Sequence, residues 1–288
     1  MDDKKSWKKK SQETAVENFY ATGIEGFHDY HKGYLNFGYW TKPGMTYVEA
    51  AENLVRTMGR KLGLNNTSKL LDCGCGNGTQ DILLFQEFNP ISIDGLDVTW
   101  KHIERARERA EKEHVPTDRV RYHHGSAVNL PFENDSFTHV LSIEAPEHFE
   151  TREDFFKEAY RVLKPGGMLA ICDYSLGKKP KGLYDKFLVK AAQRLWHVPN
   201  ENVYGNDIFT NKLTAIGFRN VKIDNVGKHT IPGYYYEHRR PESLKEIYYI
   251  RGFWKGIVGG YLIDRGVFDT YRRGLCEYIM LVAEKPWG

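Results

Sequence analysis

The sequence predicts an α/β fold, a doubly wound and mostly parallel sheet of seven strands flanked by helices. Three observations lead there. Between residues 66 and 174, short apolar runs alternate with stretches of helical period, the pattern of successive crossover units. A glycine-rich turn, Gly74-Cys75-Gly76-Asn77-Gly78, joins the first such run to the first such helix. The second run alternates and ends in a carboxylate, Asp97, at the sheet edge where ligands of these folds bind.

Thr46 as N-cap, Leu54, Met58 and Leu62 on one stripe, and Gly63 as stop signal give an amphipathic helix over 46–63. Lys69-Leu70-Leu71-Asp72 is the first strand, 79–88 a helix, and 91–97 the second strand. The charged segment 99–113 is a helix with a solvated Arg/Glu face, on which His102 is expected to be exposed. Strands follow at 120–124, where His123 and His124 read as packing residues, and at 137–143. A helix over 151–163 is stopped by Lys164-Pro165-Gly166-Gly167, and 168–172 is the fifth strand. After Asp173 the pattern degrades, and 176–206 mixes Lys, Gly, Pro and aromatics without a period. A helix over 207–217 ends at Gly217, and 221–224 and 277–284 supply the last two strands. The organisation expected is an N-terminal helical cap segment (1–65) and a core (66–175). A lid insertion (176–206) follows, then a C-terminal part of the core (207–288) interrupted by an aromatic helical lid at 233–272.

Composition narrows the function classes. Lys plus Arg number 41 against 38 Asp plus Glu in 288 residues, too even for a dedicated nucleic-acid binder. No apolar run reaches the ~18 residues of a membrane span. The lysine-rich start, with Trp7, lacks the apolar core of a secretory signal, and four cysteines make no disulfide framework, so a cytoplasmic protein is expected. Homo-oligomerisation is left open. Aromatics reach 14 % and gather in 19–40 and 234–271, Phe27 and Tyr30 among them. They read either as packing of peripheral helices or as a pocket for an apolar or cationic ligand.

The loop discriminates between nucleotides. A dinucleotide fingerprint needs glycine or alanine where Thr79 stands. Asp72, two residues before Gly74, would repel a pyrophosphate and suit an amine, which favours S-adenosyl-L-methionine (SAM). Asp97 is placed to take both ribose hydroxyls, and Val98 to pack on the adenine. At the third strand end, Ser126 and the backbone of Ala127 would read the adenine edge. The cysteines offer no metal site, because Cys73 and Cys75 belong to the glycine loop.

From Leu71 to Gly167 the sequence resembles the class I SAM-dependent methyltransferases, through Leu-Asp-Cys-Gly-Cys-Gly-Asn-Gly, Gly-Leu-Asp-Val-Thr, Leu-Pro-Phe and Arg-Val-Leu-Lys-Pro-Gly-Gly. Their Rossmann-like sheet is the fold this implies. Asn36 to Trp40 and Ser142 to Phe149, with Ile143 beside the cofactor, are similar to the small-molecule members. These are macrolide and sugar O-methyltransferases, sterol and tocopherol C-methyltransferases, and more distantly cyclopropane synthases. The resemblance implies SAM as cofactor, S-adenosyl-L-homocysteine as product, and closure of Tyr20, Gly38 and Tyr39 over the methionine end. It also implies His148, after the fourth strand, as general base, Asp173 as its partner, and Glu147 as second choice for either role. Ser126 departs from a usual Asp, as does Thr138. The expected reaction is transfer to a hydroxyl of a small, largely apolar acceptor. The alternatives are transfer to carbon through a cation held by aromatics, an RNA or protein acceptor, and a SAM-fold binding protein without activity. An NAD-dependent oxidoreductase is disfavoured by Asp72 and Thr79.

Overall fold

The computed structural model describes residues 12–20 and 32–287. The N-terminal lysine-rich tail, Phe27 and Tyr30 lie outside the described residues. A short helix at 12–18 (α1) precedes α2 (Tyr47–Leu62), β1 (Lys69–Cys73), α3 (Thr79–Phe88), β2 (Ser92–Asp97) and α4 (Trp100–Lys112). Then come β3 (Val120–His124), β4 (Phe137–Ile143), α5 (Arg152–Val162), β5 (Leu163–Leu176), α6 (Gly182–Leu195), α7 (Asn206–Ile216) and β6 (Arg219–Asn225). The chain ends with α8 (Ile231–Glu237), α9 (Pro241–Arg251), a π-helical segment (Gly252–Gly259), α10 (Gly260–Arg272) and β7 (Cys276–Glu284).

The sheet is the predicted seven-stranded one, in the order β3-β2-β1-β4-β5-β7-β6. β1 to β5 pair in parallel, and β7 runs antiparallel between β5 and β6. The order reverses between β1 and β4, which opens a crevice at their C-terminal ends. The strand pleat sends alternate side chains to opposite faces. Leu70 and Leu141 thus join a core with Leu54, Met58, Ile82 and Ile103, while Leu71 and Val140 join Phe155, Phe156, Phe209 and Leu213. α2 begins at Thr46 with a capping box to Glu49 and ends at Gly63, whose φ of 78° only glycine adopts readily.

Two segments differ from expectation. The stretch read as aperiodic contains α6, whose only buried residues are Asp185 and Leu188. Its Leu183 and Phe187 are 88 % and 64 % exposed, so the apolar residues lie on both faces and blur the helical period. β5 begins at Leu163 rather than Met168, because Lys164-Pro165-Gly166-Gly167 continues in extended form, with Leu163 opposite Phe137.

Candidate active site

A cavity of about 380 Å³ lies above the C-terminal ends of β1, β2 and β4, closed by α1, residues 33–37, α6 and α10. Its cofactor side is built from the first two crossover units. The backbone turns at Gly74 (φ 79°) and Gly76 (φ 56°), and a Cβ at Gly74 would lie 2.3 Å from that of Ala145. At Gly74 and Gly76 the loop meets the cavity as bare backbone. Asp97 is buried and accepts from Thr99 N–H at 2.8 Å, Gly76 N–H at 3.0 Å and His102 Nδ1 at 3.3 Å. Burial opposes its charge, yet His102 and the two amides hold its carboxyl below the usual carboxylate range. His102, expected at the surface, is buried because Asp97 needs this neighbour.

Val98, Ser126, Ala127, Ile143, Gly74, Gly76 and Tyr20 all line the cavity as expected. Asp72 does not. It lies one layer below the wall, where its Oδ2 accepts from Gln80 Nε2 at 2.5 Å, and it is Gln80 that reaches the cavity. Asp72 faces the buried Asp81 carboxyl, and burial pushes both upward, Asp72 to about 6. The two carboxyls lie within hydrogen-bond reach of each other. Gly38 and Tyr39 are also absent from the wall. The positive φ of Gly38 sends the chain onto α2, where Tyr39 N–H donates to the Ala50 carbonyl at 2.8 Å. Asn36 and Phe37 take their place beside the cavity. At the end of β3 sequence reasoning missed Glu13: from α1 its Oε1 accepts from Ser126 Oγ at 2.5 Å. A carboxylate thus stands next to the position where the family's usual Asp is missing.

Two features fit SAM: glycine backbone facing the cavity at 74 and 76, and an ionised Asp97 with lone pairs remaining on both oxygens. Gln80 and the loop backbone would hold the amino-acid end, Asp97 the ribose, and Glu13 with Ser126 the adenine edge.

On the opposite side, His148 sits in a short turn after β4, fully enclosed. Burial lowers its imidazole to about 4, so the ring is neutral at neutral pH. Its Nε2 lies 2.9 Å from the Tyr20 hydroxyl, which burial keeps protonated, and 3.9 Å from Glu147. The expected His148–Asp173 contact is not made. Asp173 accepts from Arg152 Nε at 2.8 Å and from Tyr174 N–H at 2.7 Å, and it lies behind the cavity wall. A buried guanidinium holds a carboxylate more strongly than a neutral imidazole does. Glu147 and Asp173 face each other within hydrogen-bond reach, and burial raises both. Arg152 also donates to the Asn202 and Tyr174 carbonyls, and Asn202 Nδ2 donates to the carbonyls of Glu147 at 3.0 Å and Phe149 at 2.7 Å. This lattice fixes the turn that carries His148.

Glu144, also unforeseen, accepts from Phe37 N–H at 2.7 Å and from the Tyr278 hydroxyl, tying the N-terminal segment across the cavity to β7. Burial raises its carboxyl to about 8. Phe37 in turn stacks on Tyr234 with centroids 4.2 Å apart, and Tyr174 packs edge-on to Phe37. Among the described residues no group of His, Cys, Asp or Glu could hold a metal ion, and no helix is long and apolar enough to cross a membrane.

Residues 71–171 match the family described as a methyltransferase domain. Over 222 residues the chain is 36 % identical to erythromycin 3''-O-methyltransferase of Saccharopolyspora erythraea, spanning 74 % of this chain and 72 % of that protein. It is 32 % identical over 255 residues to 27-O-demethylrifamycin SV methyltransferase of Amycolatopsis mediterranei, spanning 88 % and 90 %. The crystal structure of geranyl diphosphate C-methyltransferase from Streptomyces coelicolor shares the fold, with a TM-score of 0.73 at 16 % identity over 95 % of this chain and 98 % of that one. The glycine loop, the buried carboxylate that closes β2, the strand order and these relatives lead to one statement: the chain belongs to the SAM-dependent methyltransferases that act on small molecules.

Proposed function

We propose that the enzyme transfers the methyl group to a hydroxyl oxygen of a small, largely apolar acceptor, with His148 as general base. One observation carries this reading: a hydroxyl, that of Tyr20, already sits 2.9 Å from Nε2 of the neutral His148 imidazole inside the cavity. An acceptor hydroxyl in the place of the Tyr20 oxygen would donate to the same nitrogen. SAM supplies an electrophilic methyl and leaves as S-adenosyl-L-homocysteine. The protein's tasks are to hold the acceptor oxygen in line at about 3 Å and to exclude water. As the new O–C bond forms, the hydroxyl proton passes to His148 Nε2. In this reading Arg152, Asn202 and Asp173 position that imidazole through the turn, and Glu147 lies 3.9 Å from the nitrogen that gains the proton. The two curated O-methyltransferase relatives support the same acceptor atom.

Transfer to carbon is the second reading. It draws on the Phe37, Tyr234 and Tyr174 rings, which would favour a cationic intermediate through cation–π attraction. A panel of hydroxylated polyketides, quinones, terpenoids and glycosides incubated with methyl-labelled SAM separates the two. A mass gain of one methyl with the label on oxygen is expected. Label on carbon would replace the proposal with the second reading, and SAM binding without any methylated product would overturn both.

A further inference from the structure

We infer that the outer face of the lid docks on an anionic lipid bilayer, so that the cavity draws its acceptor from a membrane surface. The proposal rests on the two faces of α6. The inner face carries Val189, Ala192 and Leu195 to the cavity wall. The outer face presents Leu183 and Phe187, 88 % and 64 % exposed, with Tyr184 half exposed beside them. Large apolar side chains one turn apart on a surface helix mark an interaction site. Basic residues surround them: Lys178, Lys179 and Lys181 lead into the helix, and Lys186, Lys190 and Arg194 lie along it, all exposed. The one carboxylate of this stretch, Asp185, is buried and ion-paired with Arg273 at 2.7 Å, so the exposed charge is of a single sign.

α10 packs on α6 and repeats the arrangement. Its Ile263 and Val267 face the cavity, whereas Leu262 is 64 % exposed, and Trp254 in the adjoining π-helical segment is 77 % exposed beside Lys255. Tryptophan and lysine flanking apolar side chains suit the headgroup layer of a bilayer. The charge selects this occupant over a second copy of the chain. A twofold contact through α6 would set its cations against those of the identical helix, whereas anionic headgroups neutralise them. Access then follows from the geometry, since the helix that would lie in the interface also forms the cavity wall.

The test is flotation with vesicles of phosphatidylcholine alone and of an equal mixture with phosphatidylglycerol. It needs no methyl acceptor, so its outcome is separable from that of the transfer reaction. The wild-type protein is expected to float with the mixed vesicles only and to be released by salt. Two double variants, Leu183→Ser with Phe187→Ser and Lys186→Glu with Lys190→Glu, are each expected to lower the bound-to-free ratio at least about tenfold. None of these four side chains lines the cavity, so thermal unfolding and SAM affinity serve as folding controls, and the lysine pair removes no buried group. Failure of the wild type to float with anionic vesicles, or flotation of both variants as strong as that of the wild type, overturns the proposal. So does a wild-type dimer in sedimentation that the Leu183/Phe187 variant dissociates, which would assign the face to a second copy.

Discussion

The cofactor side and the acceptor side of the cavity are built on different length scales. Around Asp97, two of the three partners, Thr99 and His102, lie within five residues along the chain, and Gln80 reaches Asp72 across eight. Around His148 the corresponding contacts join residues 128 apart to Tyr20 and, through the turn, 50 apart between Arg152 and Asn202. Glu144 meets Tyr278 across 134 residues. A site assembled within one or two crossover units leaves its chemistry in a short stretch of sequence. A site assembled from a cap, a turn, a lid and the last strand does not.

The largest effect that tests this comparison is expected from His148→Ala: turnover falls by about 10²–10⁴, while SAM binding by calorimetry is unchanged. Loss of SAM affinity instead would mean that the two sides are not separable. Second comes Arg152→Met. The variant strips Asp173 of its buried cation, and breaking such a pair costs about 3–5 kcal/mol. Because Asp173 can take a proton beside Glu147, the lower end is expected, a fall in Tm of about 5 °C by calorimetry. An unshifted Tm would show that the lattice behind His148 carries no stability.

Third is Asp97→Ala, expected to weaken SAM at least about tenfold through loss of charge-assisted hydrogen bonds worth ~1.5–3 kcal/mol, without altering the pH profile of turnover. An unchanged dissociation constant would place the ribose elsewhere. This residue also marks where sequence reasoning works best. A carboxylate closing an alternating strand just beyond a glycine loop can be read from spacing alone, as can the capped helix that follows Thr46 and the strand pleat of Leu70 and Leu71. Asp72 shows the limit within the same motif: its type and position are legible, but its depth below the wall depends on Gln80 and Asp81. Asp173 fails for a different reason. Its competitor Arg152 is visible in the sequence, yet nothing local indicates that the guanidinium points inward between Tyr204 and Phe209. The helix at 182–195 was obscured by its own exposed Leu183 and Phe187.

Glu13 offers a sharper test, because it brings a long-range contact to the otherwise local cofactor side. Glu13→Gln removes the carboxylate beside Ser126 and is expected to raise the SAM dissociation constant about three- to tenfold, the effect of one hydrogen bond of ~0.5–1.5 kcal/mol. Adding Ser126→Asp should restore binding by returning a carboxylate to the end of β3. If the double variant binds no better than Glu13→Gln, the α1 carboxylate acts by holding the cap rather than by meeting the adenine.

The smallest expected effect is on stability as a function of pH, where Glu144 reports the acceptor side and the raised pair Asp72 and Asp81 the cofactor side. Glu144, raised to about 8 by burial against the help of Tyr278 and Phe37, binds its proton more tightly folded than unfolded. Its contribution is therefore complete below the unfolded carboxyl pKa and is lost as pH rises through about 8. His148 and His139, held near 4, act in the opposite direction but only as pH falls below about 6.5. Between pH 6.5 and 8 the acids dominate, and a loss of about 1 kcal/mol is expected for Glu144 facing cavity water, seen as a falling Tm. Glu144→Gln should flatten this slope, whereas Asp97→Asn should not, because the Asp97 carboxyl is held low and stays ionised throughout the window. A slope that ignores Glu144→Gln would leave the raised pair Asp72 and Asp81 on the cofactor side as its source and reverse the contrast between the two halves of the cavity.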